Sequence, residues 1–172
     1  MKLLIKLIVI ASILFIFPGS DKAEGDIESR DQILDLVEDA AHAQISLSEK
    51  WRSMNEIKKI LAPYLTEKYM ERYLKENLVS EEGRFMTYGS DFSPYFIPFF
   101  AFTSETKVIT EKNKAYVFEY FDGSDIGPVS YPSHYEGLLL KKVDGSWKVS
   151  KYLYDDIPKA IIKKANKPSG KF

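Results

Sequence analysis

A chain of 172 residues, 45% hydrophobic and 14% aromatic, carries enough apolar material for one core and is too short for two ordinary domains. Its 24 basic and 25 acidic side chains leave a net charge of -1, which excludes a nucleic-acid binder working by phosphate neutralisation. With no cysteine there is no disulfide framework, thiolate metal site, cysteine nucleophile or thiol for lipid attachment.

The chain opens with Lys2 and Lys6, an apolar run over residues 7–17, and a break at Pro18-Gly19-Ser20. At about 1.5 Å per helical residue this run is too short to cross a hydrocarbon core of about 30 Å unaided. It reads as a signal peptide over residues 1–23, ending at Ser20 or Ala23. An uncleaved N-terminal anchor, with Lys6 snorkelling, is the alternative. The expected location is secreted or cell-surface associated, any membrane contact is through that segment alone, and the absence of cysteine excludes a lipoprotein.

One α+β domain is expected over residues 24–156, followed by a basic tail over 157–172. Ser29-x-x-Gln32 has the form of a capping box, and Ile33, Val37, Ala40, Gln44, Leu47 and Trp51 recur at helical spacing, predicting a long helix over 29–51. Ser53-x-x-Glu56 opens a short second helix that Pro63 should end. Thr66 then caps a third, with Tyr69, Met70, Tyr73 and Leu74 as its apolar stripe. From 79 to 104 the periodicity fails, and the aromatic-rich stretch 88–100 is expected to cross the mouth of the core as an irregular wall or lid, or to be a plain structural loop.

Strands follow over 106–110 and 115–121, then a Gly/Pro loop over 122–132, then a hairpin over 134–153. The Asp144-Gly145 turn favours type I′ and sets Val143 opposite Ser146. Counting outwards places Leu138, Leu140, Trp147, Val149 and Leu153 on one face, together with His134, Glu136 and Lys151. The reverse face carries Tyr135, Leu139, Val143, Tyr152 and Tyr154, a surface that could be solvated or could make a homodimer. The tail from Asp155 can start a short helix with Pro158 in its first turn. Its lysines, Lys159, Lys163, Lys164, Lys167 and Lys171, suit either solvent or an anionic polymer or lipid.

Three helices followed by an antiparallel sheet ending in Lys142-Val143-Asp144-Gly145-Ser146-Trp147-Lys148-Val149 resemble the nuclear transport factor 2-like cone fold over roughly residues 29–154. That resemblance implies a curled sheet wrapped around the long helix, with a conical cavity. Some members of the fold use an Asp/His or Asp/Tyr pair there for proton transfer, and others bind ligands or dimerise. The strings starting at Gln44, Leu61, Tyr88 and Tyr95 are similar to a small family of exported proteins of Gram-positive spore formers with no assigned activity.

His134 and Glu136, two positions apart on one strand, could share a proton in such a cavity. Alternatively they sit at its rim, with Glu136 pairing Lys151. Asp91 could join them, or simply make an Asx turn with Ser93 and Pro94. The catalytic candidates are therefore His134, Glu136 and Asp91, and the candidate ligand contacts are Trp51, Tyr88, Asp91, Tyr95, His134, Glu136 and Trp147. His42 falls outside the main stripe of its helix.

Asp122, Asp125, Asp155 and Asp156 lack calcium-loop spacing, and no nucleophile-elbow or phosphate-loop string occurs, so no metal or cofactor is expected. The expected function is non-enzymatic: an exported domain that binds a small apolar or peptide ligand, or a cell-surface protein. The alternative is a small hydrolase or isomerase using His134 with Glu136 or Asp91.

Overall fold

The computed structural model describes residues 30–89, 93–126 and 130–166. The signal segment and Ser29 lie outside the described residues. Helix α1 (Arg30–Ser46) buries Ile33, Leu34, Val37, Ala40, Ala43 and Gln44. It stops at Ser46, short of Trp51. Ser46 Oγ donates to the Ala43 carbonyl and Ser48 Oγ to that of Ile45, while the backbone N–H groups of residues 47, 48 and 49 bond three residues back. Such serines offer the backbone local partners that compete with continued helix.

Helix α2 (Met54–Leu61) begins with the full reciprocal capping box of Ser53 and Glu56. Helix α3 (Glu67–Asn77) has Thr66 at its N-cap without a side-chain cap bond. The Thr66 backbone N–H donates instead to the Val149 carbonyl, and the Val149 N–H to that of Tyr64, so the α2–α3 linker lies along the last strand of the sheet.

Strands β1 (Leu78–Glu81) and β2 (Arg84–Thr87) form a small hairpin inside the stretch expected to be irregular. Its turn residues, Glu82 and Gly83, both have positive φ, at 50° and 75°, which a two-residue hairpin turn of this kind requires. The main sheet contains β3 (Lys107–Glu111), β4 (Lys114–Phe121), β5 (His134–Val143) and β6 (Ser146–Tyr154), paired in that order and antiparallel throughout. A final helix, α4 (Lys159–Ala165), follows.

The cone expectation is overturned. The sheet is open, with β3 and β6 as its edges, and is neither curved nor closed. Both of its faces carry apolar packing. On one, Ala115, Val117, Leu138, Leu140, Trp147 and Val149 pack with α1 to α3. On the other, Phe118 and Leu153 pack with Ile157 and Ile161 around α4. The space between α1 and the sheet, where the conical cavity was expected, is filled by this first core.

The hairpin turn forms as its sequence demands, with Val143 opposite Ser146 and φ values of 50° at Asp144 and 81° at Gly145. The register then slips. Leu140 pairs with Val149, but Leu139 pairs with Lys151, leaving Ser150 as the extra residue of a β-bulge. Ser150 Oγ donates to the Leu139 carbonyl at 2.8 Å. Beyond the bulge every β6 side chain changes sides. Tyr152 and Tyr154 come opposite Leu138 and Glu136, while Lys151 and Leu153 move to the reverse face. The expected placement of those four residues is thereby corrected.

Candidate functional site

His134 begins β5 and is only 7% exposed. Its Nδ1 lies 2.9 Å from the Pro132 carbonyl oxygen and its Nε2 3.0 Å from Glu136 Oε1. Both partners are acceptors, whereas a neutral imidazole has a single N–H, so only the protonated ring satisfies both contacts. Burial opposes that charge. The Glu136 bond, the Pro132 carbonyl, and the charges of Glu136 and Asp155 outweigh it and raise the His134 pKa above its ordinary 6.5. Tyr154 and Phe121 stack on the ring at 4.7 and 5.8 Å, which suits an imidazolium. Tyr131 meets it edge-on.

The bulge delivers Tyr152 to the second oxygen of the same carboxylate: its hydroxyl donates to Glu136 Oε2 at 2.9 Å. Burial pushes the Tyr152 hydroxyl pKa up, and the hydrogen bond and charge of Glu136 push it further, so it stays a neutral donor. Directly opposite Glu136 on β4 is Glu119, whose Oε2 accepts from the Ala101 N–H and the Thr106 hydroxyl.

Glu136 and Tyr152 line one side of a cleft of about 320 Å³. Its other wall is the segment 93–99, presenting Tyr95, Phe96 and Phe99, and Phe121 contributes from β4. That wall has no regular secondary structure, so side chains must hold it. Fully buried Gln44 donates from Nε2 to the Tyr95 carbonyl and accepts the Ile97 N–H at Oε1, at 3.1 and 2.8 Å. The Tyr69 hydroxyl also donates to the Tyr95 carbonyl, and Asn77 Nδ2 to that of Pro94. Tyr95 itself sits at φ 62°, a conformation costly for a side chain this large and one that these bonds fix.

Of the expected site residues, the structure brings His134, Glu136 and Tyr95 together here. Tyr88 is 69% exposed and does not line the cleft. Trp147 is in the first core, with Lys142 Nζ over its ring at 5.4 Å, and Trp51 lies beyond the end of α1, where its carbonyl accepts from Arg84. Neither lines the cleft. Asp91 lies outside the described residues. Lys151 pairs with Asp156 at 2.7 Å, so the alternative Glu136–Lys151 ion pair is not formed. His42 is exposed on α1.

Three contributors escaped the sequence reading. Tyr152 was hidden by the bulge, Phe121 sits at the end of a strand, and Gln44 occupies an apparently ordinary place in a helix stripe. Among the described residues no group of three or more His, Cys, Asp or Glu could hold a metal ion. No described helix is long and apolar enough to cross a membrane.

Residues 29–121 match the family described as "Protein of unknown function (DUF3993)". The matched stretch contains α1 to β4, and with them the cleft wall and Phe121, and it ends before His134, Glu136 and Tyr152. No curated protein matches the sequence. The family match thereby shows membership of a family of unknown function, its description carrying nothing of export or of Gram-positive spore formers, while the open sheet overturns the expected cone.

Proposed function

The chain belongs to the DUF3993 family of proteins of unknown function, and for it we propose a ligand-binding role: the cleft between segment 93–99 and Glu136 takes a small molecule, or the side chain of a peptide, with an apolar body and a hydrogen-bond-donating pole. One observation carries this reading. A carboxylate held by His134 and Tyr152 lies in a cleft otherwise walled largely by aromatic rings, proline and isoleucine. Pockets that bind small molecules combine an apolar lining with a few fixed polar groups in this way.

The hydrolase or isomerase alternative gains no support from the geometry. A general base needs a free lone pair within reach of substrate, and both nitrogens of His134 are engaged, one with a carbonyl and one with a carboxylate. The apolar run over residues 7–17 supports export as the setting in which the ligand is met.

The test is thermal melting of the protein with millimolar indole, phenethylamine, phenethyl alcohol and aromatic dipeptides. At least one should raise the Tm, and Glu136→Gln or Tyr152→Phe should shrink that rise. No shift with any of them would overturn the reading.

A further inference from the structure

The lining of the cleft is electrically one-sided. Among the described residues it carries one carboxylate, Glu136, no lysine or arginine, and the rings of Tyr95, Phe96, Phe99, Phe121 and Tyr152. Phe96 and Phe99 stack on one another at 5.8 Å, which makes a continuous aromatic wall. A second carboxylate, Glu119, is directly across the strand pair from Glu136, outside the cleft lining, and accepts from a backbone N–H and a hydroxyl, both neutral. Like charges placed opposite one another on a sheet repel and favour a cation beside them, a place that the protonated His134 takes in the empty site. Aromatic faces joined to a carboxylate are what recognise ammonium groups too bulky and too weakly hydrated for a simple ion pair.

We propose that the cleft binds an organic ammonium ion, its head seated against Glu136 among the aromatic rings, and that binding expels the proton held by His134. The assignment rests on the cleft being a binding site and names the chemical class it selects. Glu136 Oε1 faces His134 Nε2 at 3.0 Å, so the ligand's positive charge and the imidazolium compete for one carboxylate. When the ammonium arrives, the Nε2 proton leaves to solvent.

The neutral ring keeps its Nδ1–H bond to Pro132, and its bare Nε2 then faces Glu136 as an acceptor and releases that oxygen to the ligand. The other groups around the imidazole are Tyr131 from the preceding loop, Phe121 from β4, Tyr154 from β6 and Asp155 beyond it; Tyr152 and Glu119 act through Glu136. The acids among them favour the protonated ring in the empty site against the cost of burial, and the incoming cation adds to that cost.

The experiment is calorimetric titration of the full chain with choline and with its uncharged isostere 3,3-dimethylbutan-1-ol. Choline should bind at least about tenfold tighter than the alcohol above the pKa of His134, and its affinity should fall by up to about tenfold per pH unit below it. The binding heat should depend on the ionisation enthalpy of the buffer, which reports the released proton. His134→Gln should flatten the pH profile, and Glu136→Gln should abolish the preference for the cation. Equal affinity for the two probes would overturn the cation while leaving the cleft reading intact. Binding of neither would remove both. Tighter choline binding without proton release would overturn the exchange. The wild-type titrations decide these outcomes even if a variant folds poorly.

Discussion

A buried histidine normally loses its charge more readily, and His134 instead holds its proton more tightly than an ordinary imidazole because each nitrogen faces an oxygen acceptor. The consequence is a signed dependence of stability on pH. The folded-state pKa lies above the unfolded value, so the folded protein holds its proton more tightly. The resulting stabilisation is fully present below 6.5 and is lost as pH rises through the folded pKa. The Tm advantage of the wild type over His134→Gln should therefore be largest on the acid side of 6.5 and shrink towards alkaline pH. An advantage that grew with pH would mean that the buried ring is neutral. The pair itself was legible in the sequence, because two positions apart on a strand means one face. Its third member was not. Gln44 was equally silent: nothing at a stripe position of α1 signals that its amide will be spent on the backbone of a loop 51 residues away.

At the level of the element, local chemistry was readable wherever a few neighbouring residues decide the geometry. The capping box at Ser53, the turn at Asp144-Gly145 and the antiparallel meander all follow from such short-range rules. The β1–β2 hairpin turns on Glu82-Gly83, a weaker signal than Asp-Gly between strands of only four residues. The bulge at Ser150 carries no glycine or proline to announce it. It is stabilised by what it achieves, which is Leu153 at 3% exposure in the second core and Tyr152 on Glu136. Deleting Ser150 makes the count from the turn unbroken in the pairing the bulge now gives, Leu139 with Lys151 and Leu138 with Tyr152, so Tyr152 stays on the face of His134 and Leu153 on the reverse face. The loss in urea unfolding should therefore stay below about 1.5 kcal/mol, the scale of the one hydrogen bond that Ser150 Oγ gives to the Leu139 carbonyl. A loss of about 3 kcal/mol or more, the cost of misplacing a buried leucine, would mean that the strand does not keep this pairing without its extra residue.

The whole molecule is a sheet packed on both sides, and this is where the resemblance to a cone failed. Three helices before an antiparallel meander suit an open sheet as well as a curled one, and what lies on the reverse face depends on Ile157 and Ile161, in a segment that reads as a lysine-rich tail. The fit of that segment explains Gly137. A Cβ there would sit 2.6 Å from Ile157 Cδ1, 2.8 Å from Phe118 Cβ and 2.9 Å from the Val117 carbonyl oxygen. Gly137→Ala should therefore cost about 1–3 kcal/mol through overpacking. Removing residues 157–172 should cost more. Ile157 and Ile161 each contribute roughly 1.5–3 kcal/mol by burial, and their loss bares Phe118 and Leu153. The intact chain should then run as a monomer in light scattering, because α4 occupies the apolar part of the face on which a dimer would form, while the truncated chain should self-associate. The two changes should also be coupled. In the truncated chain Gly137→Ala loses its nearest neighbour, Ile157, but still meets Phe118 and the Val117 carbonyl, so its penalty should shrink without vanishing. An unchanged penalty would show that α4 does not press on the sheet at Gly137, and an intact chain that dimerises would show that the reverse face has room for a partner as well as for its own helix.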